Sequence, residues 1–218
     1  MLKLTIEILK KEAKNFSIAE SSHDEPSIFG STDGKAVGTY LEHKFQKYLE
    51  ETYVFVKGNS ASGIDFPDEM INTDIKVTSI TQPQSSCPFK SARQKIYGLG
   101  YNLLVFVYEK VDNNETKKSR LNILHTVFVD KEQTGDFQLT TSILSILDNK
   151  GNKDDLIALF FDKNLPIDEI GASNLAEEVF QNRPVLGYLT ISNALQWRLQ
   201  YSRIIEKAGI IDGIYKLK

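Results

Sequence analysis

The sequence predicts a mixed α/β fold, a central sheet flanked by helices, with a helical C-terminal portion. Three observations point there. The run YNLLVFVYE from Tyr101 is almost continuously apolar, the mark of a strand buried on both faces. Leu41, Phe45, Tyr48 and Leu49 recur at helical spacing over 36–51. After residue 138 the apolar pattern turns helical and stays so to near the end of the chain.

In chain order, Leu4, Ile6, Ile8, Leu9, Ala13 and Phe16 predict a first amphipathic helix over about 3–19. Residues 20–34 are turn-rich and predict a loop. After the helix at 36–51, YVFVKG reads as a strand. GIDFP reads as a short strand ending at Pro67, and TDIKVTS as the strand it pairs with. TQPQSSCP, with two prolines, predicts an irregular loop, and FKSARQKIYGL a helix ending near Gly98 and Gly100. VDNNETKKSR separates the apolar strand from a further strand, LNILHTVFVD, and reads as an exposed connector. Helices follow over about 140–148, 153–162, 168–181 and 190–208, with a short strand within GIIDGIYKL. The expected organisation is a core over 1–138 and a helical region over 139–218 that serves DNA recognition or packs on the core.

Composition sets outer bounds. The chain has 218 residues, 41% apolar, 25% charged and 10% aromatic, an ordinary globular balance. That excludes collagen, coiled coil, bulk disorder and a disulfide scaffold. Cys87 stands alone, so internal disulfides and all-cysteine zinc sites are excluded. No stretch approaches 18 apolar residues, and the charged start does not read as a signal peptide, so a cytoplasmic location is expected. The net charge of −3 hides segregation. Residues 75–108 and 183–218 each carry a local +4, and 153–178 a local −5.

The chemistry concentrates in SASGIDFPDEMINTDIKVTS. Side chains alternate along a strand, so Asp74 and Lys76 share one face while Ile75 takes the other. If 64–66 and 73–77 pair as a hairpin, Asp65 reaches the same face. Two carboxylates then converge with an ammonium. Oxygen ligands of that kind suit Mg²⁺, which acidifies water and neutralises phosphate charge. An Asp-x-Lys on a strand is also a common solvated ion pair of little energetic value. Here the strand is followed by a helix and an apolar strand, and preceded by a helix carrying Glu42.

The arrangement resembles the PD-(D/E)xK nuclease superfamily and, more narrowly, the type II restriction endonucleases. Asp65, Asp74, Ile75 and Lys76 carry the resemblance, within residues 36–130. It implies a Mg²⁺-dependent endonuclease cutting double-stranded DNA at a specific sequence, working as a homodimer. By position, Asp65, Asp74 and Ile75 would form the metal site and Lys76 would be the catalytic lysine. Glu42 is similar to the family's helix glutamate; Glu50 and Glu51 compete for that role, and Leu41 and Phe45 beside Glu42 favour it. The chain departs from the pattern in having Ile64 before Asp65, where the family has proline, and Asp at the second acidic position.

DNA contacts are expected from Gln82, Gln84 and Ser85 after the catalytic strand, and from Lys90, Arg93, Gln94 and Lys95 on the next helix. The predicted helix over 190–208 presents Gln196, Arg198, Gln200 and Arg203, as a recognition helix in a major groove would. Two alternatives remain: a repair or resolvase nuclease of the same fold, and a winged-helix DNA-binding regulator without catalysis. Other signals fail. GSTDGKA lacks the spacing of a phosphate loop, and His23, His43 and His125 lack zinc spacing.

Overall fold

A computed structural model describes residues 2–58, 63–87, 90–192 and 197–218. The chain opens with a two-residue strand, β1 (Leu2–Lys3), and helix α1 (Ile6–Glu20). Thr5 caps α1 by accepting the Ile8 N–H at 3.3 Å, so the helix starts later than its apolar spacing alone predicts. A brief strand β2 (Asp24–Glu25) leads to helix α2 (Gly34–Glu50), capped by Asp33. Strand β3 (Tyr53–Val54) pairs in parallel with β1, and only these two residues of YVFVKG form a strand. Strands β4 (Thr73–Ser79) and β5 (Gln84–Cys87) precede the short helix α3 (Arg93–Tyr97). Two twelve-residue strands follow, β6 (Asn102–Asn113) and β7 (Lys118–Val129). Then come α4 (Phe137–Asp148), α5 (Lys153–Asp162) and α6 (Glu169–Gln181). The chain ends with β8 (Thr190–Ile191), β9 (Trp197–Gln200), α7 (Ser202–Lys207) and β10 (Ile214–Lys216).

The central sheet runs β10-β7-β6-β4 and is mixed. β4 lies parallel to β6, whereas β6–β7 and β7–β10 are antiparallel. The expected α/β architecture with helices flanking a mixed sheet is what the chain adopts. No described helix is long and apolar enough to cross a membrane. On one face, α1 and α2 bury Phe16 and Phe45 against Phe106, with ring centroids 5.0 to 6.0 Å apart. The other face packs Leu103, Val105 and Val107 against Trp197, Leu199 and Tyr201. A third cluster unites α4, α5 and α6 through Leu139, Ile143, Leu156, Phe160 and Val179.

Four sequence expectations are corrected. The predicted helix over 190–208 is a strand pair followed by a six-residue helix. Ile191, Leu195 and Leu199 are four apart, a spacing that satisfies both a helical stripe and a period of two. The burial settles it: Trp197 and Leu199 are buried while Arg198 and Gln200 are exposed. No recognition helix or winged helix forms from the described part of this segment; Leu195 and Gln196 lie outside the described residues. Second, the irregular loop TQPQSSCP contains β5, which pairs with β9. Pro83 immediately precedes that strand, a position where a missing N–H costs little. Third, most of the VDNNETKKSR connector is strand, because the β6–β7 hairpin projects past the core and its polar residues other than Ser119 stay exposed. Fourth, GIDFP does not form a strand. It touches β4 at one antiparallel bridge, Phe66 to Thr73, and β4 takes β6 as its main partner.

The β5-β9-β8 sheet is fastened to the rest by polar contacts. Asp136 caps α4 through the Leu139 N–H and also accepts the Ile191 N–H of β8, both at 2.8 Å. The backbones of Gly187 and Gly135 touch, so a Cβ at Gly187 would sit 2.2 Å from the Gly135 carbonyl carbon. The strand assignment of β9 makes a stability prediction. Leu199→Ala should cost roughly 2–5 kcal/mol, and Gln200→Ala about 0.5 kcal/mol or less, in urea unfolding midpoints.

Candidate active site

The β4 strand serves two environments. Ile75 and Val77 join the core beneath α1 and α2, and Asp74, Lys76 and Thr78 take the opposite face. Lys76 Nζ meets Asp74 Oδ2 at 2.5 Å, an ion pair with Asp74 almost wholly buried. Asp65 arrives from the segment before β4. Its Oδ2 accepts the Ile75 N–H at 2.7 Å, and its carboxyl lies within hydrogen-bonding reach of Asp74. The single Phe66–Thr73 bridge therefore achieves what a full hairpin was expected to achieve.

Helix α2 supplies the third wall. Glu42, His43 and Gln46 face Asp65, Asp74 and Lys76 across a cavity of about 370 Å³. Glu50 instead pairs with Lys57 at 2.7 Å, and Glu51 faces a separate hollow beside Phe16 and Tyr48. Gln46 donates to Asp65 Oδ1 at 3.1 Å. Sequence reading missed Gln46, although it lies one helical turn from Glu42 and thus on the same face.

The electrostatics follow from burial. Burial pushes Asp74 up to about 7, against the pull of Lys76. Burial also raises Asp65, with Glu42 adding like-charge repulsion. Burial draws Lys76 down, but Asp74 and Asp65 outweigh it and the ammonium holds its proton more firmly than usual. One ammonium thus faces three acidic side chains, a local deficit of positive charge.

That deficit suits a hard cation. Apart from the Lys76 ion pair, Asp74 Oδ2 accepts no regular hydrogen bond although it is buried. Among the described residues no three His, Cys, Asp or Glu close into a preformed metal cage. A site of two carboxylates that leaves positions for water fits Mg²⁺ better than a softer metal.

The expected DNA-contacting residues divide. Gln82, Gln84, Ser85 and Arg198 line a second hollow of about 650 Å³ at the C-terminal end of β4. Ser85 points inward, its hydroxyl 2.5 Å from that of Tyr201. The others are engaged elsewhere or stand apart. Arg93 pairs with Glu178 at 2.7 Å and stacks over Tyr97. Gln94 accepts the Lys90 N–H and donates to the Leu99 carbonyl, which braces α3, while the Lys90 side chain stays exposed. Lys95 is buried, with its ammonium over the Trp197 ring. Arg203 lies flat on Phe137 at 3.7 Å, its buried Nε without a hydrogen bond among the described residues.

Comparison with known proteins converges on one family. The family model of the type II restriction enzyme NspV matches residues 3–216. The type II restriction enzyme NspV of Nostoc sp. (strain ATCC 29411 / PCC 7524) is 65% identical over 211 residues, covering 97% of this chain and 95% of that protein. No solved structure matches the chain.

The Gln46 contact carries a prediction. Gln46→Ala removes a donor that orients Asp65 and should weaken divalent-cation binding about 10–100-fold. Titration calorimetry with Mg²⁺ or Mn²⁺ measures this, alongside an unchanged thermal unfolding profile.

Proposed function

The chain belongs to the NspV family of type II restriction enzymes, and from that premise we propose which of its residues bind the metal, cut the DNA and touch it. It is a site-specific endodeoxyribonuclease acting on double-stranded DNA. Enzymes of this type generally need a divalent metal. Our reading is that the metal is Mg²⁺, held by the carboxylates of Asp65 and Asp74 with the main chain of Ile75 between them. Glu42 closes the same cavity from α2. The observation that carries this reading is the convergence of Asp65, Asp74 and Lys76 on the edge strand of the sheet.

When bound, the cation would acidify water and neutralise charge on the scissile phosphate. The protein's own groups do the rest. Lys76 projects into the cavity beside Asp74, where its ammonium can orient the attacking water and donate to a phosphate oxygen. Asp65 is held in register by the Ile75 N–H and Gln46, so its carboxylate does not have to reorganise. Phosphodiester hydrolysis needs positioning and charge compensation more than covalent help, which is what this cluster offers.

Duplex DNA would be held by Gln82, Gln84 and Arg198 around the second hollow, with the exposed Lys90 reaching it from a separate surface beside Arg93. Arg93, Gln94, Lys95 and Arg203 take part through the surfaces they brace. The enzyme would act as a homodimer, since a two-fold protein matches the two strands of a symmetric site.

Incubation with phage DNA in the presence and absence of Mg²⁺ tests the reading. Discrete fragments with Mg²⁺ and intact DNA without it are expected. A smear, or no cutting in any metal, contradicts it. Lys76→Ala should reduce cleavage by at least about 100-fold while duplex binding, read by gel shift, is retained. In analytical ultracentrifugation the active species should have the mass of two chains.

A further inference from the structure

We propose that the outward face of the β5–β9 ribbon reads the DNA sequence in the major groove, through Gln84, Ser86, Arg198 and Gln200. This rests on the endonuclease reading above and assigns its specificity element.

The register defines the face. Gln84 lies opposite Gln200 and Ser86 opposite Arg198, and directly paired residues point to the same side. The intervening residues Ser85, Cys87, Trp197 and Leu199 point the other way, and the last three are buried in the core. One face of the ribbon is thus apolar and packed. The other is a lattice of two amides, a hydroxyl and a guanidinium, with Ser86, Arg198 and Gln200 exposed. Solvated strand faces usually carry mixed charge. This one has no acid, and neither does the hollow beside it, to which Lys35 adds a second cation.

That composition suits base edges. β5 and β9, flanked only by the two-residue β8, form a narrow antiparallel ribbon of the kind that fits the B-DNA major groove, where arginine pairs bidentately with guanine, glutamine with adenine, and serine with either. The face therefore predicts a recognition sequence containing both a G·C pair, contacted by Arg198, and A·T pairs, contacted by Gln84 or Gln200.

The ribbon is also tied to the catalytic strand. Thr78 is two residues beyond Lys76 and on the same face. Its buried hydroxyl accepts the Gln84 N–H at 3.0 Å and lies 3.1 Å from the carbonyl oxygens of Gln82 and Gln84. The Tyr201 N–H bonds the Pro83 carbonyl at 2.8 Å, closing the other side. The hollow begins at Val77 and extends past Ser79. Ser79 is three residues past Lys76, roughly 10 Å along the strand, or about three base-pair steps. Cleavage is accordingly expected within the sequence that is read or at its border.

The test uses the full chain. The wild type is first used to map the cut sequence on phage DNA. Binding of a short duplex with that sequence, and of a scrambled duplex, is then measured by fluorescence anisotropy with Mg²⁺ in the Lys76→Ala background. Adding Arg198→Ala or Gln200→Ala should weaken cognate binding about 10–100-fold. Gln200→Ala should leave scrambled-duplex binding within about twofold. Gln200→Glu, which preserves size but adds a carboxylate, should lose cognate binding at least as severely. Thermal unfolding of each variant checks the fold. If the wild type cuts at discrete positions, yet Gln84→Ala and Gln200→Ala both keep full discrimination, the ribbon assignment falls and the endonuclease reading stands. If the wild type never cuts, both fall.

Discussion

Gathering three acidic side chains around one lysine, with Asp74 buried and Asp65 and Glu42 half-buried, is the constraint on which the rest of the structure turns. Charge taken out of water is costly unless it is paired and hydrogen-bonded. Asp74 is almost fully buried, Asp65 is half-buried, and Glu42 adds its charge from α2. Lys76 can compensate one of them. The protein relieves part of the remainder locally: the Ile75 N–H and Gln46 support Asp65, and burial pushes Asp74 towards holding a proton near neutrality. On the proposed reading, what remains is a cluster whose ground state would improve when a divalent cation enters. Stability is given up at a place where function needs an affinity for positive charge.

The sheet determines where such a cluster can exist. β4 stands at its edge, hydrogen-bonded to β6 on one side and to Phe66 by a single bridge on the other. A central strand would have enclosed Asp74 and Lys76 beneath two neighbours. An edge strand lets one face anchor in the core through Ile75 while the far side stays reachable by a polymer as wide as duplex DNA. The edge is not left as an open template for association, because the segment before β4 and helix α2 cover it.

How much of this could be read from the residues varies with the kind of pattern involved. The Asp74-Ile75-Lys76 alternation needed no tertiary information, since a period of two assigns the faces by itself. The arrival of Asp65 was legible too, although through one bridge instead of a hairpin. The β9 segment was not, because its apolar residues are spaced by four, a multiple of two that also approximates a helical turn. The deciding contact is tertiary: the pairing of β9 with β5, far upstream in the chain. Gln46 was legible in principle as a neighbour of Glu42, but an amide on a helix carries no signal until a carboxylate is placed opposite. The charge segregation is only partly kept in space: Arg93 is neutralised by Glu178 of α6 and Arg183 by Asp148 of α4.

That neutralisation bears on how the protein recognises DNA. Affinity for duplex DNA in general grows with the number of phosphates met by cations, and it is indifferent to sequence. Internal pairing of Arg93 and Arg183, on a chain of net charge −3, keeps that contribution small. On the proposed reading, binding relies on groups that distinguish one base pair from another, and amides and hydroxyls do so without attracting every phosphate. An enzyme that cuts both strands of DNA gains from this balance, because weak attachment to the wrong sequence limits the time its metal site spends near a phosphate it should not cut. Thr78 makes the arrangement coherent: one buried hydroxyl fixes the start of β5 to the strand that carries Asp74 and Lys76. On the proposed reading, a shift of the recognition surface by a fraction of a base-pair step would also be a shift at the site of hydrolysis.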